Sequence, residues 1–461
     1  MAAAERITKM KVEDYLDKLY ESVTMKEKVT KDEIVNILEV CEKDPSRVEN
    51  LRENPRKRTL VEIINRNMSN FDGRHLLKIY ELLSNVGAEP SKYFDRWEEA
   101  ISRNLEGAIA LPVLKIYVDQ KRKMNEQMLL DWSKEASRSV KDWPPDDIVF
   151  VVGAFYRIQQ KPTPEFIRKW ADALTKTDRQ LSAEQILELV RSCGKLCLRD
   201  PEVQTFLEHL ISDSQHNQIG RMTPKQLVRL MQGFAHLKLH PGRRSDQFLP
   251  FWFGQIHPNL PNLDNKTLVR IGWALARTRV KASDKKFADD WAKQVQEKIE
   301  SLSAKELGMV LEGVVHFWLA APKYDQLLEK LTEATGRKMG ELWPQSLAPV
   351  LFTLHRLGFK PNEQFFGNWQ QVVNSQLSSM YIRDLVYVME GLAGYQRQPD
   401  KTFLQSWLSE LRQKSGQISP QGAKYLQQAL QQLSIDLPAD QRPSIERAAA
   451  RAKPEKKNRD E

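Results

Sequence analysis

Apolar residues recur along this chain at helical spacing, and the recurrence itself repeats. Aliphatic anchors stand at Ile148, Ile186, Leu227, Leu268, Leu307, Leu347 and Leu385, with Ala423 as a weaker eighth; successive spacings are 38, 41, 41, 39, 40, 38 and 38. Three residues after each anchor come Val151, Leu189, Leu230, Ile271, Val310, Val350, Val388 and Leu426. Seven after it come Phe155, Cys193, Phe234, Leu275, Val314, Leu354, Leu392 and Leu430. This i, i+3, i+7 stripe predicts one amphipathic helix per period. Six after the anchor stand Ala154, Ser192, Gly233, Ala274, Gly313, Thr353, Gly391 and Ala429, mostly small residues that let another helix approach closely. Three columns in register over eight units are not chance.

Each predicted helix has a start signal. Thr223-Pro224 and Ser419-Pro420 place a capping hydroxyl before a proline at the first helical position. Trp343-Pro344 and Pro144-Pro145 occupy the same place, and Ser182, Asp264 and Ser303 are caps without the proline. A second helix per unit is marked by aromatic pairs four apart: Phe166/Trp170, Phe248/Trp252, Phe287/Trp291, Phe365/Trp369 and Phe403/Trp407, with Tyr93/Trp97 and Met128/Trp132 as looser versions. Such pairs share one helix face. An aromatic platform for stacking bases is the alternative reading. Helical spacing, once per unit, favours packing between hairpins.

The expected fold is therefore all-α, an α-solenoid of helical hairpin repeats with a period near 39 residues. A solenoid also accommodates 461 residues without one ever-growing core. Residues 1–70 are charged and helical in pattern, with Ile34, Leu38 and Cys41 as one apolar face, and read as an N-terminal extension or cap. Residues 71–142 hold two degenerate units, Leu76 with Trp97 and Ile109 with Trp132. Pro112 should kink or shift the first helix of the second. Residues 143–435 form the repeat array. Its last unit stops as a half-repeat after Leu433, and 436–461 form a basic, proline-broken tail of the sort that is disordered when free.

Composition adds direction. The net charge is +9, with 70 Lys+Arg against 61 Asp+Glu, a modest excess that suits a polyanion. Three cysteines do not make a secreted disulfide framework. No apolar run is long enough to span a membrane. The N-terminus has no secretory apolar segment, and Glu5, Glu13, Asp14 and Asp17 depart from the acid-poor pattern of a transit peptide.

Catalytic and cofactor signals are weak. Gly194-Lys195 lacks the remainder of a phosphate loop. Cys193/Cys197 and His236/His240 are four apart and could each present two ligands on one helix face, but Cys193 falls on the core column. The expectation is a protein that is no enzyme and needs neither metal nor cofactor.

The repeat resembles the octotricopeptide repeat and the related heptatricopeptide repeats of protist organelles. The resemblance is carried by "MTPKQLVRLMQGFAHLKLHP" from Met222 and "LWPQSLAPVLFTLHRLGFKPNEQFFGNW" from Leu342, and covers roughly residues 70–435. The period is too long for 34- or 35-residue repeat families. Some members end in a nuclease-like RAP domain, of which this sequence shows no sign. The resemblance implies an organellar RNA-binding scaffold, acting in RNA maturation, stability or translation or beside a mitoribosome. Its partners would be organellar rRNA or mRNA and the proteins of a ribonucleoprotein particle. The implied location is the mitochondrion, with the chloroplast second. A protein–protein scaffold without RNA contact is the competing reading.

In repeat families that read RNA, side chains near the start of each first helix face the strand. Here the position two before each anchor reads Asp146, Glu184, Lys225, Lys266, Lys305, Gln345, Arg383 and Gln421. The next column reads Asp147, Gln185, Gln226, Thr267, Glu306, Ser346, Asp384 and Gly422. A solvated first turn explains the same polarity. The best basic run falls in consecutive units over 220–310. The RNA-binding candidates are Lys225, Gln226, Arg229, Arg243, Arg244, Lys266, Thr267, Arg270, Arg277, Arg279 and Lys305.

Overall fold

In a computed structural model, residues 31–43, 57–177, 181–212, 218–241, 247–281 and 285–452 are described. The chain divides into two compact units, residues 1–210 and 211–461. The division falls inside the stretch expected to be one array over 143–435.

The first unit opens with α1 (Lys31–Lys43) and α2 (Lys57–Asn67). Ile34 and Leu38 are buried as their spacing implies; the side chain of Cys41 lies outside the described residues. Hairpins follow: α3 (Gly73–Asn85) with α4 (Phe94–Arg103), α5 (Gly107–Asp119) with α6 (Glu126–Ser139), and α7 (Pro145–Arg157) with α8 (Pro164–Thr177). Next come α9 (Ala183–Leu196) and α10 (Pro201–Ser212). First helices pack on first helices, α5 on α7 and α7 on α9. Second helices pack on second helices, α4 on α6 and α6 on α8. This two-layer stacking is the α-solenoid expected from the period.

The second unit repeats the arrangement. Its first helices are α11 (Pro224–Leu237), α13 (Asn265–Thr278), α15 (Ala304–His316), the broken pair α17 (Pro344–Leu347) and α18 (Val350–Arg356), α20 (Ile382–Gly394) and α22 (Pro420–Gln432). Its second helices are α12 (Phe248–Ile256), α14 (Lys285–Lys298), α16 (Asp325–Arg337), α19 (Glu363–Gln376), α21 (Lys401–Lys414) and α23 (Arg442–Ala449).

One hydrogen bond ties each aromatic mark to its anchor. The indole N–H of Trp97 donates to the Leu76 carbonyl (2.8 Å), Trp170 to Ile148 (2.7 Å), Trp252 to Leu227 (3.0 Å), Trp291 to Leu268 (2.9 Å), Trp369 to Leu347 (3.0 Å) and Trp407 to Leu385 (3.1 Å). All six indoles are fully buried. A buried N–H must find an acceptor, and a helical carbonyl keeps one lone pair free for it. The Trp thus fixes where the second helix lies along the first. Trp132 donates to Ala110, one residue past the expected Ile109 (2.7 Å). So Pro112 shifts the register of α5 by one, but the helix runs through the proline without a break.

A second regularity was hidden. Ten first helices among the described residues end on a left-handed residue: Gly87, Lys121, Gln159, Cys197, Lys238, Arg279, Trp318, Gly358, Gln396 and Ser434. The left-handed turn lets the next N–H reach back to the helix's last carbonyls. Only two of the ten are glycine, so the stop signal is invisible in composition.

The C-terminus corrects one expectation. Residues 442–449, read as part of a tail, form α23. It packs on α22, burying Ile445, while Gln441 donates to the Leu408 carbonyl (3.2 Å) and Arg412 pairs with Asp440 (2.8 Å). The last unit is therefore a whole hairpin with a short second helix. Residues 453–461, with Lys453, Lys456 and Lys457, lie outside the described residues.

A candidate nucleic-acid face on the first helices

Four rows of side chains remain outside the core along each first helix of the second unit. They lie two before the anchor and two, five and nine after it. On α13 the rows are Lys266, Arg270, Trp273 and Arg277, and on α11 Lys225, Arg229, Gln232 and His236. On α15 they are Lys305, Met309, Glu312 and His316. On α17–α18 they are Gln345, Pro349, Phe352 and Arg356, and on α20 Arg383, Tyr387, Glu390 and Gly394. Such positions share a helix face because they follow the 3.6-residue turn.

The candidates now separate. Lys266, Arg229 and Lys305 are exposed in these rows. Arg270 is half-buried; burial, and then Arg229 beside it, hold its guanidinium below the ordinary arginine value. Two like charges held together in this way favour an anion that neutralises both. Lys225 is exposed but spans one repeat to Asp264, at 2.8 Å. Burial pushes the Asp264 carboxyl up, but Lys225 and the Thr267 N–H outweigh it and bring it to about 2. Arg277 is held by Glu312 through two parallel bonds, Nε to Oε2 at 2.7 Å and Nη2 to Oε1 at 2.8 Å. Arg279 is exposed at the left-handed end of α13, off the rows.

Gln226 and Thr267 stand at helix starts. Gln226 accepts the Thr223 backbone N–H at 2.9 Å and donates its own N–H to the Thr223 hydroxyl at 3.3 Å, closing a capping box. Gln185 and Glu306 make the same box with Ser182 and Ser303. Thr267 is 3% exposed, and its N–H donates to Asp264 at 2.8 Å. This column is the third helical position: the side chains of Gln185, Gln226, Glu306 and Asp384 turn back to the capping residue's N–H, whereas Thr267 and Gly422 engage the cap through their backbone N–H alone. Arg243 and Arg244 lie outside the described residues.

The two members of each suggested ligand pair sit in different surroundings. Cys193 is buried, its thiol pushed up to about 12 by burial, whereas Cys197 is exposed at the left-handed end of α9. His236 lies against the Trp273 ring, centroids 5.2 Å apart, and His240 meets the Thr278 carbonyl.

Beyond the sequence-predicted residues, a second cluster stands further along the same face, and of it only Arg277 is among the candidates. A groove of about 370 Å³ opens between α15, α17–α18 and α20, its lining including Arg277, Glu312, Phe352, Arg356, Arg383 and Tyr387. The rings of Phe352 and Tyr387 are 5.3 Å apart and 35° from parallel. The guanidinium of Arg356 stands 5.7 Å from the Phe352 ring and 5.4 Å from Trp318. Burial raises the Glu390 carboxyl to about 7, although Arg356 pulls the other way. The signal was present: the rows five and nine after the anchor change from Gln232/His236 to Phe352/Arg356 as the array proceeds.

Charge and ring together give this face two capacities. The first two rows offer cations to phosphate, and the groove offers planar groups to planar ligands. No helix among the described residues is long and apolar enough to cross a membrane.

No curated protein matches the chain. Among solved structures, a chain of the full-length AP-3 complex in an intermediate open conformation (itself a homology model) shares 12% identity at a TM-score of 0.30. The match covers 94% of this chain and 92% of that one. A circular tandem repeat protein with novel repeat topology shares 14% identity at a TM-score of 0.21, covering 95% and 96%. At these scores neither likeness bears on fold or function. The informative match is to a family, over residues 118–405, from the end of α5 into α21. That span is more than half of the sequence and holds the groove and every predicted cation of the face: the chain belongs to the family of the RNA-editing substrate-binding complex 6 protein.

Proposed function

We propose that this protein is a non-catalytic RNA-binding helical-repeat scaffold of an RNA-editing particle, working in RNA maturation inside a mitochondrion. The family name supplies the particle and the RNA. The observation that carries the reading is the placement of Arg229, Lys266, Arg270 and Lys305 on one face of consecutive first helices, within the family's span. Among the described residues none of these four has a carboxylate in ion-pair contact, so their charge is open to a phosphate backbone. The partners are a single-stranded RNA and the other proteins of the particle. The likeness to octotricopeptide and heptatricopeptide repeats then reflects a shared repeat grammar, and maturation is favoured over a place in the mitoribosome.

A second reading has its own support. Lys225 and Arg277 are already engaged by Asp264 and Glu312, as they would be if this face met protein and held its charges in internal pairs. Salt separates the two readings. Four phosphate contacts on a single strand imply a roughly 50-fold loss of affinity between 50 and 200 mM salt. Reversing Lys225, Lys266 and Lys305 to glutamate should weaken RNA binding and flatten that dependence. Salt-insensitive RNA binding, or none, would leave the protein scaffold as the better account.

A further inference from the structure

The groove on α15, α17–α18 and α20, and the Trp318 ring that Arg356 reaches from its lining, have features that the fold does not require. Trp318 is 55% exposed although its neighbours in the unit are packed aromatics. It also occupies the left-handed position after α15, with φ 54°, where a bulky side chain is costly and where the next repeat uses Gly358. Trp318, the Arg356 guanidinium, Phe352 and Tyr387 follow one another as a ladder of planar groups, spaced 5.4, 5.7 and 5.3 Å. None of the four is buried. Two further guanidiniums flank the ladder, Arg383, 63% exposed, and Arg277, oriented by Glu312. Among the described residues, Arg356 has no carboxylate in ion-pair contact. The groove's volume of about 370 Å³ suits a small planar ligand.

We propose that this ladder is a stacking subsite for an unpaired nucleobase of a single-stranded RNA, with Arg383 and Arg277 meeting the adjoining phosphates. The proposal rests on the RNA-binding reading above and deepens it. The basic rows near the helix starts hold the strand by charge, and the ladder takes a base out of solvent. Stacking on a ring face accepts any base, so the subsite adds affinity without a sequence code. An aromatic row beside guanidiniums is the arrangement that single-strand binding uses, whereas an acidic peptide would need the charges but not the exposed rings.

The test uses the full chain with three fluorescein-labelled probes: a 12-mer of uridine, a 12-mer of the same backbone without bases, and a 12-residue polyglutamate. The variants are Trp318→Ala and Phe352→Leu, with Lys266→Gln/Lys305→Gln as a charge control, each checked for unchanged helicity and melting temperature. The uridine oligomer should bind wild type more tightly than the abasic one. Trp318→Ala and Phe352→Leu should each reduce its affinity about tenfold while leaving abasic binding and salt dependence unchanged. The charge control should weaken both oligomers alike. Equal wild-type affinity for both oligomers, or ring variants that bind uridine normally, would overturn the subsite while leaving the RNA-binding reading standing. No binding of either oligomer would overturn that reading as well. Polyglutamate that displaces uridine from wild type, and binds the ring variants poorly, would assign the groove to an acidic peptide and overturn the proposal.

Discussion

Gly272→Ala is the smallest change that tests the stacking of first helices. A methyl at this position would lie 2.6 Å from Trp291 Cζ2, 3.0 Å from its Cη2 and 3.1 Å from the Cα of Gly313. Carbon atoms in good contact stand about 3.5–4.0 Å apart. The indole cannot swing away, because its N–H is held by the Leu268 carbonyl at 2.9 Å and the ring is fully buried. Nor can α15 yield alone, since Gly313 carries its backbone into the same contact. Overpacking of this kind costs about 1–3 kcal/mol. A 2.6 Å approach to a held ring belongs in the upper part of that range, about 2–3 kcal/mol; replacing glycine inside a helix returns about 1 kcal/mol, so the net loss should be about 1–2 kcal/mol. Trp291→Phe removes the ring edge that blocks the methyl, and by itself costs about 1–3 kcal/mol. The pair should therefore couple: the double variant should be more stable than the two costs added, by about 1 kcal/mol or more. Urea denaturation followed by far-UV circular dichroism, with amide exchange read locally on α13 and α15, measures all four corners of the cycle. A Gly272→Ala protein as stable as wild type, or two costs that simply add, would refute the wedged-indole contact and the close approach of the two glycines.

Three further expectations follow from single observations. Gly358 is left-handed at φ 71°, and a Cβ there meets nothing nearer than Ala321 Cβ at 3.9 Å, so only backbone strain opposes a side chain. Gly358→Ala should cost about 1 kcal/mol and Gly358→Asn much less, while Gln396→Gly at an equivalent position should stabilise by about 0.5 kcal/mol; thermal melts read all three. Glu390 has its carboxyl raised by burial from 4.5 to about 7, so its favourable protonated state is present below pH 4.5 and lost as pH rises through 7. Glu390→Gln should thus raise stability at pH 8 by about 1–2 kcal/mol, allowing for solvent screening, and do nothing near pH 4.5; an equal gain at both pH values would contradict this. Asp264→Ala removes both the cap of α13 and the partner of Lys225, and chemical denaturation should show a loss of about 1–2 kcal/mol, against near-neutrality for Lys225→Gln.

Much of the fold was legible because it is periodic. The anchors and the Phe-x-x-x-Trp pairs are each a one-dimensional signal, and the structure joins them through a single hydrogen bond. Two features were not legible. The left-handed helix ends escaped notice because Lys121, Gln159 and Arg279 look like ordinary surface residues; only the three-dimensional turn demands their conformation. The α23 helix escaped because its one buried anchor, Ile445, makes no periodic pattern by itself. The site was half legible. Lys266, Arg229 and Lys305 do occupy an outward face, but Gln226 and Thr267 stand where an RNA reader and a helix cap use the same residue types, and the cap is what they serve. Phe352 and Arg356 do not stand out by themselves in the sequence, because a ring and a guanidinium four apart on a helix look like any half-exposed pair until the neighbouring repeats bring Tyr387 and Trp318 beside them.

Ultraviolet crosslinking of the full chain to a 4-thiouridine single-stranded RNA, with the crosslinked peptides sequenced by mass spectrometry, tests the central claim most directly. The account predicts crosslinks on the outward rows of α11, α13, α15, α18 and α20 and at Trp318 just past the end of α15, concentrated at Trp273, Trp318, Phe352 and Tyr387 and suppressed when Arg229 and Arg270 are reversed to glutamate. Crosslinks confined to the second helices α14, α16, α19 and α21, or their absence from the first-helix face, would contradict it.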